Sequence, residues 1–440
     1  MTIKEIDGNI FSEFASNHML KNYFQTKEYG NLMKYSDFSV MYIGAFQNNI
    51  LIAASLILHK TIGTGMRYGY APRGFLVDYY DTNLLSEFTK KVKDFFFKRG
   101  FAFIKINPEI TYSTINFDEK SKTINSRNKK LIEELKNLGY DKLKDNLYFE
   151  SLLPKYTPII NLQSYNTNVI DKSMLDNMKK YELSGVKIVK GAEKDLETFY
   201  KFVDDKETKT LTYYKYFYNS FIKNNMVDLL LIEVNYDTYV KYLQKEYIFE
   251  QEKNEKINIE FHDNPNNADI YNRKMKSDQI IARISSDIAT ANNRMKDNDI
   301  KEIIGGAFII KYQGRITIIT TGNNSDFTGI DVKTYLYYKI IEEYKKAGYL
   351  YLDLNGITAD FSETNPYKEL NKFKLKYKPQ VYEYIGELDL IVNKPFHQLL
   401  WSTNKIQKEF YKPAIKNNRS IWVNDFYFSK LVFIFLIISI

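Results

Sequence analysis

The sequence predicts an α/β fold built from two similar halves, with a helical arm inserted into the second. Three observations carry this expectation. A helix that ends at glycine and runs into a short strand occurs twice, with Gly100 recurring as Gly348 and Asn107 as Asn355, a constant shift of 248 residues. A strand pair and a further strand precede that helix in both halves. In the second half alone, a long charged stretch splits the pair.

Each element has its own reason. Val40–Phe46 and Ile50–His59 are apolar, β-rich runs joined by Gln47-Asn48-Asn49, which is hairpin chemistry. Leu85, Phe88, Val92, Phe95 and Phe96 recur on one face of a helix, and Gly100 suits its C-terminal cap before the strand Phe101–Asn107. Leu229–Val234, Ala307–Tyr312 and Arg315–Thr320 repeat the strands, and the helix before Gly348 leads into Tyr349–Asn355. Between them, Tyr239–Phe261 is helical in character, and His262 to Asn267 breaks it around Pro265. Ile281, Ile284, Ile288, Ala291 and Met295 then recur at steps of three and four, a coiled-coil seam. Two such helices would form an antiparallel arm of about 35–45 Å at 1.5 Å per residue. The expected units are 1–158, completed by 382–400, then 159–381, with the arm at 237–301 and a C-terminal extension at 402–440.

Composition narrows the chemistry. With 440 residues, 44% hydrophobic and 26% charged, the chain is long enough for two or three cores. It has no cysteine, which excludes disulfides, thiolate zinc sites and thiol nucleophiles. The four histidines are scattered, so neither a Ser-His triad nor a multi-histidine metal site is expected. A net charge of +8 suits local contact with phosphates rather than a coat for nucleic acid. No secretory signal opens the sequence, and the apolar run Leu431–Ile440 is ten residues, short of the ~20 a spanning helix needs. A cytoplasmic protein able to touch the membrane face is expected.

Two segments stand out as candidate chemistry. In Asn371–Pro379, Lys372, Lys374, Lys376 and Lys378 alternate with Phe373, Leu375 and Tyr377. Read at period two, this is a strand with a row of ammonium groups, either a binding surface for phosphate or an oxyanion, or a lysine-protected sheet edge. Tyr68 to Gly74 reads as a strand end turning through Pro72, offering Tyr70 and Arg73 to a phosphate or carboxylate. Asp78, Asp353 and Glu387 are carboxylates near strand ends, and none is singled out as an acid or base. No Walker A or dinucleotide glycine pattern stands in suitable context. A transferase built from this inventory would bring an amine to an already activated acyl group.

In this order, several short segments carry a resemblance: Phe24-Gln25-Thr26, Arg73-Gly74-Phe75-Leu76-Val77-Asp78-Tyr79, Ile104 to Pro108, Gly185-Val186-Lys187-Ile188, Tyr216-Phe217, Asn355-Gly356-Ile357, Phe373-Lys374 and Glu383 to Glu387. Over about residues 10–400 the chain resembles the Fem (FemA/FemB/MurM-like) aminoacyltransferases, which build peptidoglycan interpeptide bridges. The resemblance implies two tandem GNAT-like (acyl-CoA N-acyltransferase-type) subdomains. It implies transfer of an amino acid from aminoacyl-tRNA to the free amine of a lipid II or UDP-linked muropeptide, with the tRNA as co-substrate and no other cofactor. Partners would be these two substrates and related transferases in homo- or hetero-oligomers. The family's Phe-Lys pair falls on Phe373 and Lys374, and Lys376 adds a further cation. A family tyrosine that contacts the muropeptide falls on Tyr216, although the arginine four residues earlier is here Thr212. The family's N-terminal phosphate-binding lysine falls on Lys34, with Met33 the alternative register. An acyl-CoA-dependent N-acyltransferase and a non-catalytic muropeptide-binding scaffold are the competing readings.

Overall fold

Two sheets share the order of their first five strands. The first runs β1 (Thr2–Glu5), β2 (Ser39–Gln47), β3 (Ile50–Ile62), β4 (Met66–Ala71), β5 (Phe101–Ile106), and closes with β16 (Leu388–Ile391) and β8 (Tyr140–Lys142). The second runs β10 (Val186–Gly191), β11 (Val227–Asn235), β12 (Lys301–Tyr312), β13 (Arg315–Asn323), β14 (Tyr351–Asp353), then β9 (Tyr156–Asn161) and β15 (Gln380–Tyr384). It is extended by β6 (Thr111–Asn116) and β7 (Ser121–Ile124). In both sheets the fourth and fifth strands pair in parallel and all other neighbours pair antiparallel. This computed structural model describes residues 1–402 apart from 63–64, 118, 146, 150–151, 168–169, 204–208, 298–299, 326 and 328. The C-terminal extension, with its apolar tail, therefore lies outside the described residues.

Strands are exchanged between the two stretches of chain on either side of residue 158. Strands β6 and β7 come from the first stretch of chain but extend the second sheet, while β16, from residues beyond the second, completes the first. The helices are α1 (Gly8–Asn17), α2 (Lys27–Tyr35), α3 (Thr82–Phe97), α4 (Ser126–Asn137), α5 (Lys172–Leu183) and α6 (Leu196–Lys201). They continue with α7 (Leu211–Ile222), α8 (Tyr236–Asp263), α9 (Ala268–Asp297), α10 (Val332–Lys346), α11 (Lys368–Leu375) and α12 (Lys394–Ser402).

Helix α3 buries Leu85, Phe88, Val92, Phe95 and Phe96 as its periodicity requires, with Asp81 accepting the Leu84 N–H at its start. Helix α10 repeats the device, its Asp331 side chain accepting the Thr334 N–H. Gly100 and Gly348, just past the two helices, have φ of 74° and 83°, a left-handed turn that favours glycine at both. A third apolar cluster joins the halves, setting Phe11, Leu32 and Leu56 with Phe217, Phe221 and Phe308. The two sheets thus share buried surface.

Helices α8 and α9 form the expected antiparallel pair, turning through Asn264–Asn267. The apolar positions packed against the core of the second half are Ile280 rather than Ile281, then Ile284, Ile288, Ala291 and Met295. Farther out the interface turns polar: Ser277 Oγ donates to Glu250 Oε1 at 2.9 Å and Asn254 Nδ2 to Asp278 Oδ1 at 2.7 Å. Among the described residues no helix is long and apolar enough to cross a membrane.

The largest correction concerns Asn371–Pro379. The segment is not a strand: α11 covers Lys368–Leu375, and the chain leaves it at Lys376. Asn371, Lys374 and Tyr377, spaced by three, face inward, while Lys372 is exposed. The segment is little more than two turns long, too short for its alternation to reveal which period governs it.

Strand β15 is pinned between β9 and β6 by a buried carboxylate. Glu383 accepts from Ser113 Oγ at 2.5 Å and Tyr156 Oη at 2.9 Å, and pairs with Lys122 at 2.8 Å and Lys155 at 3.0 Å. Burial alone would raise its pKa, but Lys122, Ser113 and Lys155 hold it at about 2, against an ordinary 4.5. The folded protein therefore binds the Glu383 proton less well than the unfolded chain. Its stabilisation is complete above pH 4.5 and disappears as pH falls towards 2. Urea denaturation from pH 7 to pH 2.5 should show a shallower acid loss in Glu383→Gln; parallel curves would contradict the assignment.

Candidate functional site

The fold opens where β13 and β14 part. They pair only between Arg315–Thr317 and Tyr351–Asp353, and beyond that the strands diverge. A cavity of about 600 Å³ fills the gap. Ile318 to Thr321 and Leu354-Asn355 form its floor, α10 supplies Lys333 and Tyr337, and α11 supplies Glu369 and residues 372–374. Four lysines (333, 372, 374 and 376) line it against one carboxylate, Glu369. Such a lining suits an anionic ligand.

Lys374 is the inward cation of this wall, with 1% of its surface exposed. Its Nζ donates to the Gly356 carbonyl at 2.8 Å. Burial pushes the ammonium well below the ordinary lysine range; Lys333 pushes the same way, and Asp353 opposes them. Phe373 beside it packs edge-on against Tyr337 at 4.9 Å, and the Lys333 and Lys376 ammonium groups each lie 4.2 Å from its ring centroid. Lys376 Nζ also donates to Thr334 Oγ1 at 2.6 Å, and burial lowers its pKa with Asp331 opposing.

The other candidates fall elsewhere. Arg73 is not offered at a turn surface. It is 5% exposed, its Nη2 donating to the Pro154 carbonyl at 3.0 Å and its Nε 3.4 Å from Glu109. Tyr70 is likewise buried, sharing hydrogen bonds with the Asn107 side chain. Both residues therefore belong to the scaffold between the halves. Tyr216 is 48% exposed on α7 and stacks on Tyr35 of α2 with centroids 3.8 Å apart. Lys34 is exposed beside Tyr35, whereas Met33 is buried, so of the two registers only Lys34 presents a side chain to a ligand. Thr212 is exposed on the first turn of α7.

A smaller crevice of about 70 Å³ adjoins the main cavity and shares Ile319 and Asn355 with it. Tyr23, Phe24, Tyr213 and Phe217 wall it, and Arg73, Glu109 and Asp353 reach it. Arg315 joins this set, with Nη1 2.6 Å from Glu109 and Nη2 2.5 Å from Asp353. Burial opposes the Glu109 charge, but Arg315 and Arg73 more than offset it and hold the carboxyl below its ordinary range. Of the carboxylates flagged by sequence, Asp353 lies in this network, Glu387 accepts the Leu152 N–H, and Asp78 caps a turn at Tyr80. Lys333, Glu109 and Arg315 escaped sequence reasoning. Lys333 lies on a helix that periodicity located, but its orientation has no sequence signature. Glu109 and Arg315 are 206 residues apart.

A model of the FemAB family matches residues 6–405. The chain is similar to an aminoacyltransferase FemA of Staphylococcus epidermidis, 24% identical over 419 residues, covering 93% of this chain and 100% of that one. It is also similar to an aminoacyltransferase FemA of Staphylococcus aureus, 22% identical over 422 residues with the same coverage of both chains. Among solved structures, FemX superposes with a TM-score of 0.70 at 17% identity, over 91% of this chain and 100% of its own, a likeness of fold.

Proposed function

The chain belongs to the FemAB family and is an aminoacyltransferase; on that premise we propose that it moves an amino acid from aminoacyl-tRNA to the free amine of a lipid II-type muropeptide, extending a peptidoglycan interpeptide bridge. The observation that carries the substrate assignment is the buried Lys374 in the wall of a lysine-lined cavity of about 600 Å³. In this reading the ester carbonyl of the aminoacyl-tRNA lies in that cavity. The neutral amine attacks it, a C–N bond forms, the C–O bond to the ribose breaks, and the amine's proton leaves with the ribose hydroxyl. The ester is already activated, so no nucleotide or further cofactor is needed at this step.

Lys374 acts here by differential stabilisation. Burial lowers its affinity for a proton, and an oxyanion nearby would restore that affinity. The interaction then strengthens as the tetrahedral intermediate forms, the condition for lowering the barrier rather than binding substrate tightly. Lys333, Lys372 and Lys376 offer positive charge to tRNA phosphates at the cavity. Lys34 and Tyr216 are proposed muropeptide contacts on the α2–α7 surface. The shared strand order of the two sheets supports reading each as a GNAT-like unit, and the α8–α9 pair as an antiparallel coiled-coil arm.

Incubating the protein with radiolabelled aminoacyl-tRNA and lipid II tests the reading. Label should move to the precursor, and ribonuclease pretreatment should abolish the transfer. Transfer that survives ribonuclease would reject the tRNA donor. The scaffold alternative, motivated by Thr212 where the family has arginine, predicts precursor binding with no transfer at all.

A further inference from the structure

Arg73, just past β4 of the first sheet, and Lys374 on α11, both singled out by sequence, are connected through two residues. Arg73 Nη2 donates to the Pro154 carbonyl at 3.0 Å, and Lys374 Nζ donates to the Gly356 carbonyl at 2.8 Å. Between the two carbonyls, Pro154 and Gly356 are in direct contact. A Cβ built on Gly356 would lie 2.4 Å from both Cβ and Cγ of Pro154, closer than real Cβ atoms approach anything. Gly356 is not among the residues of positive φ, so here it is space rather than backbone conformation that admits only glycine. The two strands are clamped on either side of this contact, Ile357 N–H donating to the Tyr156 carbonyl at 3.0 Å and Leu354 N–H to the Pro158 carbonyl at 3.0 Å. On the cavity side, Asn355 accepts the Gly356 N–H on its Oδ1 at 2.7 Å.

We propose that Arg73, Pro154 and Gly356 form a strut across the seam between the halves, in which Arg73 and Pro154 are positioning residues that set the Gly356 carbonyl and, through it, the place of the Lys374 ammonium in the cavity. This rests on the transfer role assigned to Lys374 and extends it to residues that touch no substrate. The strut accounts for the buried Arg73: its guanidinium spends one edge on Glu109 and another on the Pro154 carbonyl. Other charged and titratable groups around Lys374 are Lys333 and Tyr337 on α10, Glu369, Lys372 and Lys376 on or next to α11, and Asp353 at the end of β14. None of these is altered by the substitutions below, so a change in Lys374 reports on its seat.

Gly356→Ala should lower kcat at least about tenfold with KM changed much less, because misplacing a reacting group by a fraction of an ångström costs rate before binding. Cyanate labelling of the full chain, read residue by residue by mass spectrometry across pH 6 to 10, should show Lys374 modified along a shifted pH curve. Pro154→Ala removes the ring atom Cγ that lies against Gly356 while leaving Gly356 unchanged, and should lower kcat and shift the Lys374 labelling curve. Arg73→Lys keeps a charge beside Glu109 but lacks the fork that reaches Pro154, and should give a smaller kcat loss with the same direction of labelling shift. A Pro154→Ala variant with wild-type kcat, or a kcat loss with an unmoved Lys374 labelling curve, would overturn the strut. If Gly356→Ala does not fold, Arg73→Lys alone decides. Labelling curves that shift while Lys374→Met itself leaves transfer intact would instead keep the strut and reject the role of Lys374.

Discussion

Lys374→Met should reduce aminoacyl transfer by about 10²–10³-fold, the usual cost of losing one oxyanion donor, while leaving the melting temperature unchanged or raised. The second half of this expectation follows from the sign of the linkage. The folded state holds the Lys374 proton less tightly than the unfolded chain, because burial, reinforced by Lys333, depresses its pKa against the opposing pull of Asp353. Between the depressed pKa and the ordinary 10.5, the unfolded state binds more protons, so stability rises with pH there and is reduced at lower pH. Methionine fills a similar volume without that penalty, and apolar replacement of buried charge is often neutral or stabilising. Lys374→Arg should not rescue the rate, since a guanidinium is larger, keeps its proton and cannot match a single carbonyl partner. Single-turnover transfer and calorimetry on the same preparations check both halves. A rate within threefold of wild type would remove Lys374 from the mechanism.

That combination, a costly residue kept in a site, is also where the sequence was hardest to read. Helices α3 and α10, their glycine stops and the hairpin strands were legible because each is dictated by neighbours within a few turns. The repeat was legible because Gly100 and Gly348 answer the same local need for a left-handed residue. By contrast, the register of the α8–α9 pair was not legible, because Ile280 and Ile281 are both apolar and only packing chooses between them. The addition of β6 and β7 to the second sheet depends on pairings such as Tyr382 with Thr114, which leave no local trace. Lys374 was found, but as part of an alternating strand. Its alternation with aromatic residues fits period two, and only the packing of Asn371, Lys374 and Tyr377 against the interior reveals the helix. Arg73 was also found, in the wrong role: the turn around it was recognisable, but the Pro154 and Glu109 groups that claim its guanidinium were not.

Glu109→Gln should destabilise the fold by about 3–5 kcal/mol, the range for removing one member of a buried ion cluster. Glu109 is the carboxylate that the guanidinium groups of both halves share, Arg315 at 2.6 Å and Arg73 at 3.4 Å. With Asp353 at 2.5 Å from Arg315, two carboxylates balance two guanidinium groups. The amide would leave Arg73, only 5% exposed, beside a neutral group and short of its counter-charge. The damage should be specific to charge balance. Adding Arg73→Met to Glu109→Gln removes the stranded cation and should recover part of the loss, so the two changes should be strongly non-additive. Acid gives an independent check. Burial opposes the Glu109 charge, but Arg315 and Arg73 overcome it and hold the pKa below the ordinary 4.5. Its stabilisation is therefore full above that pH and is lost as pH falls through the lowered value. Wild-type stability should decline there more steeply than that of Glu109→Gln. Urea denaturation of the wild type, the two single variants and the double variant, at pH 7 and again near pH 3, measures every term. A Glu109→Gln loss below about 1 kcal/mol, or simple additivity with Arg73→Met, would mean that the two halves are held by their shared apolar cluster alone.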